Sequence, residues 1–186
     1  MKSRLRIFIN MAAYAALTAC LVAPPAGAQE RTGTHLDSSA ARPAVLHLNR
    51  SSEIDVIRDL IQAGDYDAAT EFARTHVENV RDRASLDAER ISETILYDAL
   101  NALCIALAVS GQTDEALTTC SEAIAGAPRR WSAWNSRGTT YFVRENYEAA
   151  FDDFARAFEL APEDPDLVDT LEWNIKLARD RIAALR

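Results

Sequence analysis

The chain predicts an all-α protein of antiparallel helix hairpins stacked side by side and closed by a C-terminal helix. Three observations predict it. From about Ser52 onward apolar residues recur at helical spacing, and no run alternates with period two long enough to suggest a sheet. Gly and Pro fall between the helical segments. Residues of matching size also recur 34 positions apart: Pro128 and Pro162, Ala116 and Ala150, Ala123 and Ala157, Leu100 and Trp134, Leu107 and Tyr141, Cys104 and Gly138.

The first segment, 1–28, reads as a signal peptide. Lys2, Arg4 and Arg6 precede an apolar run from Ile7 to Ala23, Pro24 and Pro25 end it, and Ala26-Gly27-Ala28 offers small side chains for cleavage between Ala28 and Gln29. A competing reading rests on Leu17-Thr18-Ala19-Cys20, which resembles a lipobox and would make Cys20 a lipidated first residue. The first reading gives a periplasmic protein, the second a lipoprotein held at the outer membrane. Residues 29–50 are polar, small and aperiodic, a flexible tether.

Residues 51–96 read as a degenerate first hairpin. A helix from about Glu53 to Ala63 is followed by Gly64-Asp65-Tyr66-Asp67-Ala68-Ala69, a turn entering a second helix. Tyr66 lies 47 residues before its counterpart Thr113, so 13 extra residues lengthen the helices between them. Residues 97–130 and 131–164 form two hairpins in the 34-residue register. In the later one the first helix carries Trp134, Gly138 and Tyr141, a turn follows near Glu145-Asn146, and the second helix carries Ala150, Phe154 and Ala157. Small residues at Gly138, Ala150 and Ala157 let the backbones approach, and Pro162 stops the second helix. Such a hairpin buries its apolar stripe only against neighbours. In 165–186, Asp164-Pro165-Asp166 is a helix start, and Val168, Leu171, Ile175, Ala178, Ile182 and Leu185 form one apolar stripe of a capping helix.

These residues resemble the tetratricopeptide repeat. The stretch WSAWNSRGTTYFVRENYEAAFDDFARAFELAPED carries the family's marks at Trp134, Gly138, Tyr141, Ala150, Phe154, Ala157 and Pro162, with Tyr147 in the turn. Arg137 stands where the family usually has leucine. The preceding hairpin matches less closely, with Leu103 kept, Cys104 in place of the glycine and Cys120 in place of the aromatic residue. The resemblance covers about residues 52 to 186. It implies a short right-handed α-solenoid in which the first helices of the hairpins line a concave groove. It also implies that a protein or peptide binds there through Asn101, Ile105 and Ala108 of one hairpin and Asn135, Thr139 and Phe142 of the next. Packing of Phe142 on the last helix near Trp173 is the plain alternative.

Composition bounds the chemistry. The 186 residues are 48% hydrophobic and 26% charged with a net charge of −8, so attraction to nucleic acid is not expected. Cleavage after Ala28 would remove three bases and no acid, leaving 17 Lys+Arg against 28 Asp+Glu, a net of −11. From Glu145 to Glu172 ten acids accompany the single base Arg156, while Arg129, Arg130, Arg137 and Arg144 precede them. The plain reading is two solvated helix faces; the functional one is steering of a basic partner. His35, His47 and His76 show neither metal-ligand spacing nor a nucleophile arrangement. Pairs such as Asp152-Asp153, and Asp67 near Glu71, read as solvated carboxylates. No cofactor or metal is expected, and the function expected is a non-enzymatic adaptor or scaffold, with an envelope enzyme built on the acidic surface as the remote alternative. Membrane association is expected only through Cys20.

Cys104 lies seven residues before Gly111 and Cys120 nine after it, so an antiparallel hairpin brings them level. In an oxidising compartment they would form a disulfide worth about 3 kcal/mol; the alternative is two small buried hydrophobes.

Overall fold

The computed structural model describes residues 51–86 and 93–186; the leader, its cleavage position at Ala28 and Gln29, Cys20, and the tether with His35 and His47 lie outside them. Among the described residues every regular element is an α-helix: α1 Ser52–Ala63, α2 Tyr66–Leu86, α3 Glu93–Val109, α4 Thr113–Gly126, α5 Trp131–Val143, α6 Tyr147–Leu160 and α7 Pro165–Ala184. None of these helices is long and apolar enough to cross a membrane.

Local chemistry places the boundaries. The Ser51 side chain accepts from Ile54 N–H at 3.2 Å to start α1, and Gly64, at φ 78°, ends it with the Asp65 N–H bonded to the Leu60 carbonyl at 3.0 Å. The turn joining the two helices of each hairpin carries one left-handed residue: Gly64, then Gly111 at φ 82°, then Glu145 at φ 60°. Asn146 Oδ1 accepts from Ala149 N–H at the start of α6. Asp164 Oδ1 accepts from the N–H groups of Asp166 and Leu167, both at 3.1 Å, with Pro165 at the first turn of α7.

Each helix packs on those before and after it in sequence, and α3 also touches α1 and α5, the first helices of the flanking hairpins. The alanine pairs of the 34-residue register, Ala116 with Ala150 and Ala123 with Ala157, are fully buried. The central helix α3 is buried nearly all round from Tyr97 to Leu107, as its apolar composition demands. The insertion is visible as length. Helix α2 has 21 residues against 14 in α4, and α3 has 17 against 13 in α5.

Helix α7 differs from expectation in rotation. Its buried residues are Leu167, Leu171, Asn174, Leu177 and Ala178. Only Leu171 and Ala178 of the expected stripe face the core fully; Val168, Ile175 and Ile182 are half-buried and Leu185 is 70% exposed. The cause lies in α6, where Ala150 and Phe154 cluster with Leu177 and Ala178, and Ala157 clusters with Leu167 and Leu171. The small alanines admit Leu167 and Leu177, which leaves Val168, Ile175 and Ile182 at the margin of the packed face, with Ile175 still resting on the core cluster.

Candidate functional site

The three hairpins carry different residues at one corresponding place, seven positions before the left-handed turn residue and nine after it. In α3/α4 these are Cys104 and Cys120, joined by a disulfide with their Cα atoms 5.3 Å apart. In α5/α6 they are Gly138 and Phe154. A Cβ on Gly138 would sit 2.7 Å from the Phe154 ring and 3.2 Å from the Ala150 carbonyl oxygen, so only glycine admits the ring there. In α1/α2 they are Ile57 and Ala73, both fully buried. Bulk is thus exchanged between partners, large against small, two mid-sized, then small against large.

Beside Gly138, Arg137 joins three helices. Its Nε and Nη2 donate to Asp153 at 2.7 and 2.8 Å, and its Nη1 donates to Ser121 Oγ on α4 at 3.0 Å. The guanidinium lies 5.0 Å from the Trp134 ring centroid and 5.8 Å from that of Tyr141. Burial pushes the Asp153 carboxyl above the usual carboxylate range while Arg137 pulls it down; the bonds to Asp153 push the guanidinium higher still. Asp153 is therefore not the solvated carboxylate its neighbour Asp152 is, because α6 turns it inward onto Arg137.

Two of the other bases preceding the acidic stretch are also engaged, while Arg129 is exposed. Arg130 donates to Asp98 at 2.7 Å and covers the Tyr97 ring at 4.0 Å, while Arg144 pairs with Asp114. Two further arginines clasp α2 to α4: Arg74 reaches Glu115 and Gln112, and Arg81 reaches Glu122 at 2.5 Å. The basic cluster is therefore largely interhelical packing rather than a solvated face. Of the acids from 145 to 172, Glu145, Glu148, Asp152, Glu159, Glu163, Asp164, Asp166, Asp169 and Glu172 are exposed.

The expected groove residues divide. Asn101, Ile105 and Asn135 are buried and are not direct surface contacts; Asn135 is 0% exposed and its Oδ1 accepts from Asn174 Nδ2 at 3.0 Å. The side of α5 expected to face a ligand is turned onto α7. Ala108, Thr139 and Phe142 are half-buried. Phe142 packs on the cluster containing Leu177 and Ala178 and meets Tyr147 edge-on at 5.1 Å, the plain alternative read from the sequence. Asn101 and Asn135 each keep one amide atom without a hydrogen-bond partner, Oδ1 of the first and Nδ2 of the second. That is costly in a buried site. Neither the Asn135–Asn174 bond nor the Arg137–Asp153 pair was foreseen; Arg137 in a leucine position was the one available signal.

At the other end of the array, a cleft of about 100 Å3 on α1 and α2 is lined by Glu53, Phe72, His76 and Arg83 among others. Burial holds the His76 imidazole below its ordinary 6.5; Glu53 opposes that shift and Arg83 adds to it. Among the described residues no group of three or more His, Cys, Asp or Glu could hold a metal ion.

Comparison with protein-family models, curated proteins and solved structures finds no match.

Proposed function

We propose that this protein is a non-enzymatic binding module of tetratricopeptide type, exported to the bacterial periplasm, that takes an extended protein segment along the inner line of its first helices. One observation carries the reading. Ala108 and Phe142, 34 residues apart on successive first helices, and Thr139 beside Phe142 stay half-buried above the buried Asn101, Ile105 and Asn135, leaving an accessible fringe on which an extended segment can lie. The disulfide supports the oxidising compartment.

The test is selection of displayed random peptides on the protein, followed by titration of the selected peptide against A108R and T139R. These substitutions fill the fringe without entering the core. Each is expected to weaken binding at least about tenfold with an unchanged melting temperature. Full affinity in both variants, or no peptide selected at all, removes the reading.

A further inference from the structure

We propose that residues 43–48 of this chain cover the open edge of hairpin α1/α2, lying against Val56, Phe72 and the cleft beside them. Repetition defines that edge. The place that Val56 and Phe72 hold in the first hairpin is held by Leu103 and Thr119 in the second and by Arg137 and Asp153 in the third. In the later hairpins it is covered, with Leu103 6%, Thr119 7% and Asp153 5% exposed and Arg137 half-buried. In the first it is open, with Val56 40% and Phe72 37% exposed.

A preceding second helix makes the difference. Arg137 Nη1 donates to Ser121 Oγ on α4 at 3.0 Å, so this place looks toward the hairpin before its own. Hairpin α1/α2 has no helix before it among the described residues. The cleft of about 100 Å3 continues the same edge, since both Glu53 and Phe72 line it. Glu53 holds the place of Trp134, whose indole Nε1 donates to the Pro128 carbonyl at 3.1 Å, within the segment that arrives at α5. The cleft thus lies where a segment arriving at α1 would run.

Topology and sequence name the occupant. Helices α3, α5 and α7 are each entered from a helix that packs on them, α2, α4 and α6 in turn, so the chain reaches each of them from the side that needs covering. The last buried residues of α4 and α6, Ile124 and Ala157, lie seven and eight residues before the helix that follows. Counted back from Ser52, those distances fall on Val45 and Ala44, in Ala44-Val45-Leu46, the only run of three apolar residues in 29–50. Leu48 follows one residue later. Three residues separate Leu48 from Ser52, ~10 Å of extended chain at most. Val45, Leu46 and Leu48 are therefore held beside an apolar place at high effective concentration, an advantage that no free partner has. With this segment at one end and α7 at the other, both ends of the array are closed, and the free tether shortens to 29–42.

The experiment is hydrogen–deuterium exchange on the full-length mature chain, disulfide formed, comparing the unaltered protein with V45D/L46D, V56S/F72S and the variant that combines all four changes. The V45D/L46D changes lie outside the described helices, and unaltered protection of α5 to α7 shows that the variant is folded. Its amides in α1 are expected to exchange about tenfold faster than those of the unaltered protein. V56S/F72S removes the other side of the same contact, so adding V45D/L46D to it is expected to change nothing further. Unaltered exchange in V45D/L46D overturns the proposal. So do additive effects, which send the segment to another surface, and protection of α1 that falls on dilution, which gives the edge to a second copy of the chain.

Discussion

Hairpins α3/α4 and α5/α6 solve one steric problem in opposite ways. Both bring two helices together seven residues before and nine after a left-handed turn. The earlier hairpin joins them with the Cys104–Cys120 bond, while the later one removes a Cβ at Gly138 and fills the space with the Phe154 ring. The covalent bond acts mainly by restricting the unfolded chain, and the ring acts in the folded state by apolar burial. The two hairpins therefore respond to different insults, reduction for one and truncation for the other.

The largest effect is expected in the later hairpin. F154A removes a fully buried ring that no neighbour replaces, and should cost about 3–5 kcal/mol, read from urea unfolding with the disulfide intact. Next, C104S/C120S should cost about 3 kcal/mol for a bond spanning 16 residues, and the wild-type protein in reductant should lose a similar amount. The sharper variant is C104G/C120F, which moves the later hairpin's solution into the earlier one. If the places are equivalent, it should be more stable than C104S/C120S and indifferent to reductant; equal stability of the two breaks the equivalence. G138A should cost about 1–3 kcal/mol by forcing the Phe154 ring aside. E145G, at the one turn of the three whose left-handed residue is not glycine, should stabilise by about 0.5–1 kcal/mol.

The smallest effect lies in the first hairpin. Burial lowers the His76 pKa in the folded state below 6.5, so the unfolded chain binds the proton more readily. The stability His76 contributes is present above about pH 6.5 and is lost as pH falls through its folded value. H76Q should flatten that part of the stability profile by a few tenths of a kcal/mol, discounted because the side chain is only half-buried. A profile as steep in H76Q as in wild type assigns the slope to other groups.

The hairpins were legible because their determinants are local. Glycines and an N-cap asparagine at the turns, Asp164-Pro165 before the last helix and small residues at 34-residue spacing each act within a turn or a helix pair. The disulfide was legible for the same reason, as turn position and helical rise alone bring Cys104 level with Cys120. What escaped depends on three helices at once. Asn135 looks outward when α5 and α6 are considered alone and is covered only when α7 supplies Asn174. Asp153 looks solvated until Arg137 and Ser121 arrive from two other helices. The rotation of α7 is decided by which α6 positions are alanine, and a heptad of apolar residues on α7 points elsewhere.

A chain of similar hairpins faces a hazard that a chain of dissimilar elements does not, since α3 and α5 hold equivalent places before their second helices and α6 must choose between them, within one molecule or between two. The Arg137–Asp153 pair discriminates between them. The residue of α3 that corresponds to Arg137 is Leu103, and the α4 residue that corresponds to Asp153 is Thr119. Were α3 to take α6 as its partner, Leu103 would meet an inward-facing carboxylate with no guanidinium to neutralise it, at a cost of about 3–5 kcal/mol. Arg137 would meanwhile face a threonine. One ion pair in a leucine position thus adds to the fit of Phe154 over Gly138 a second mark that α5 and α6 belong to each other, an identity label written in charge.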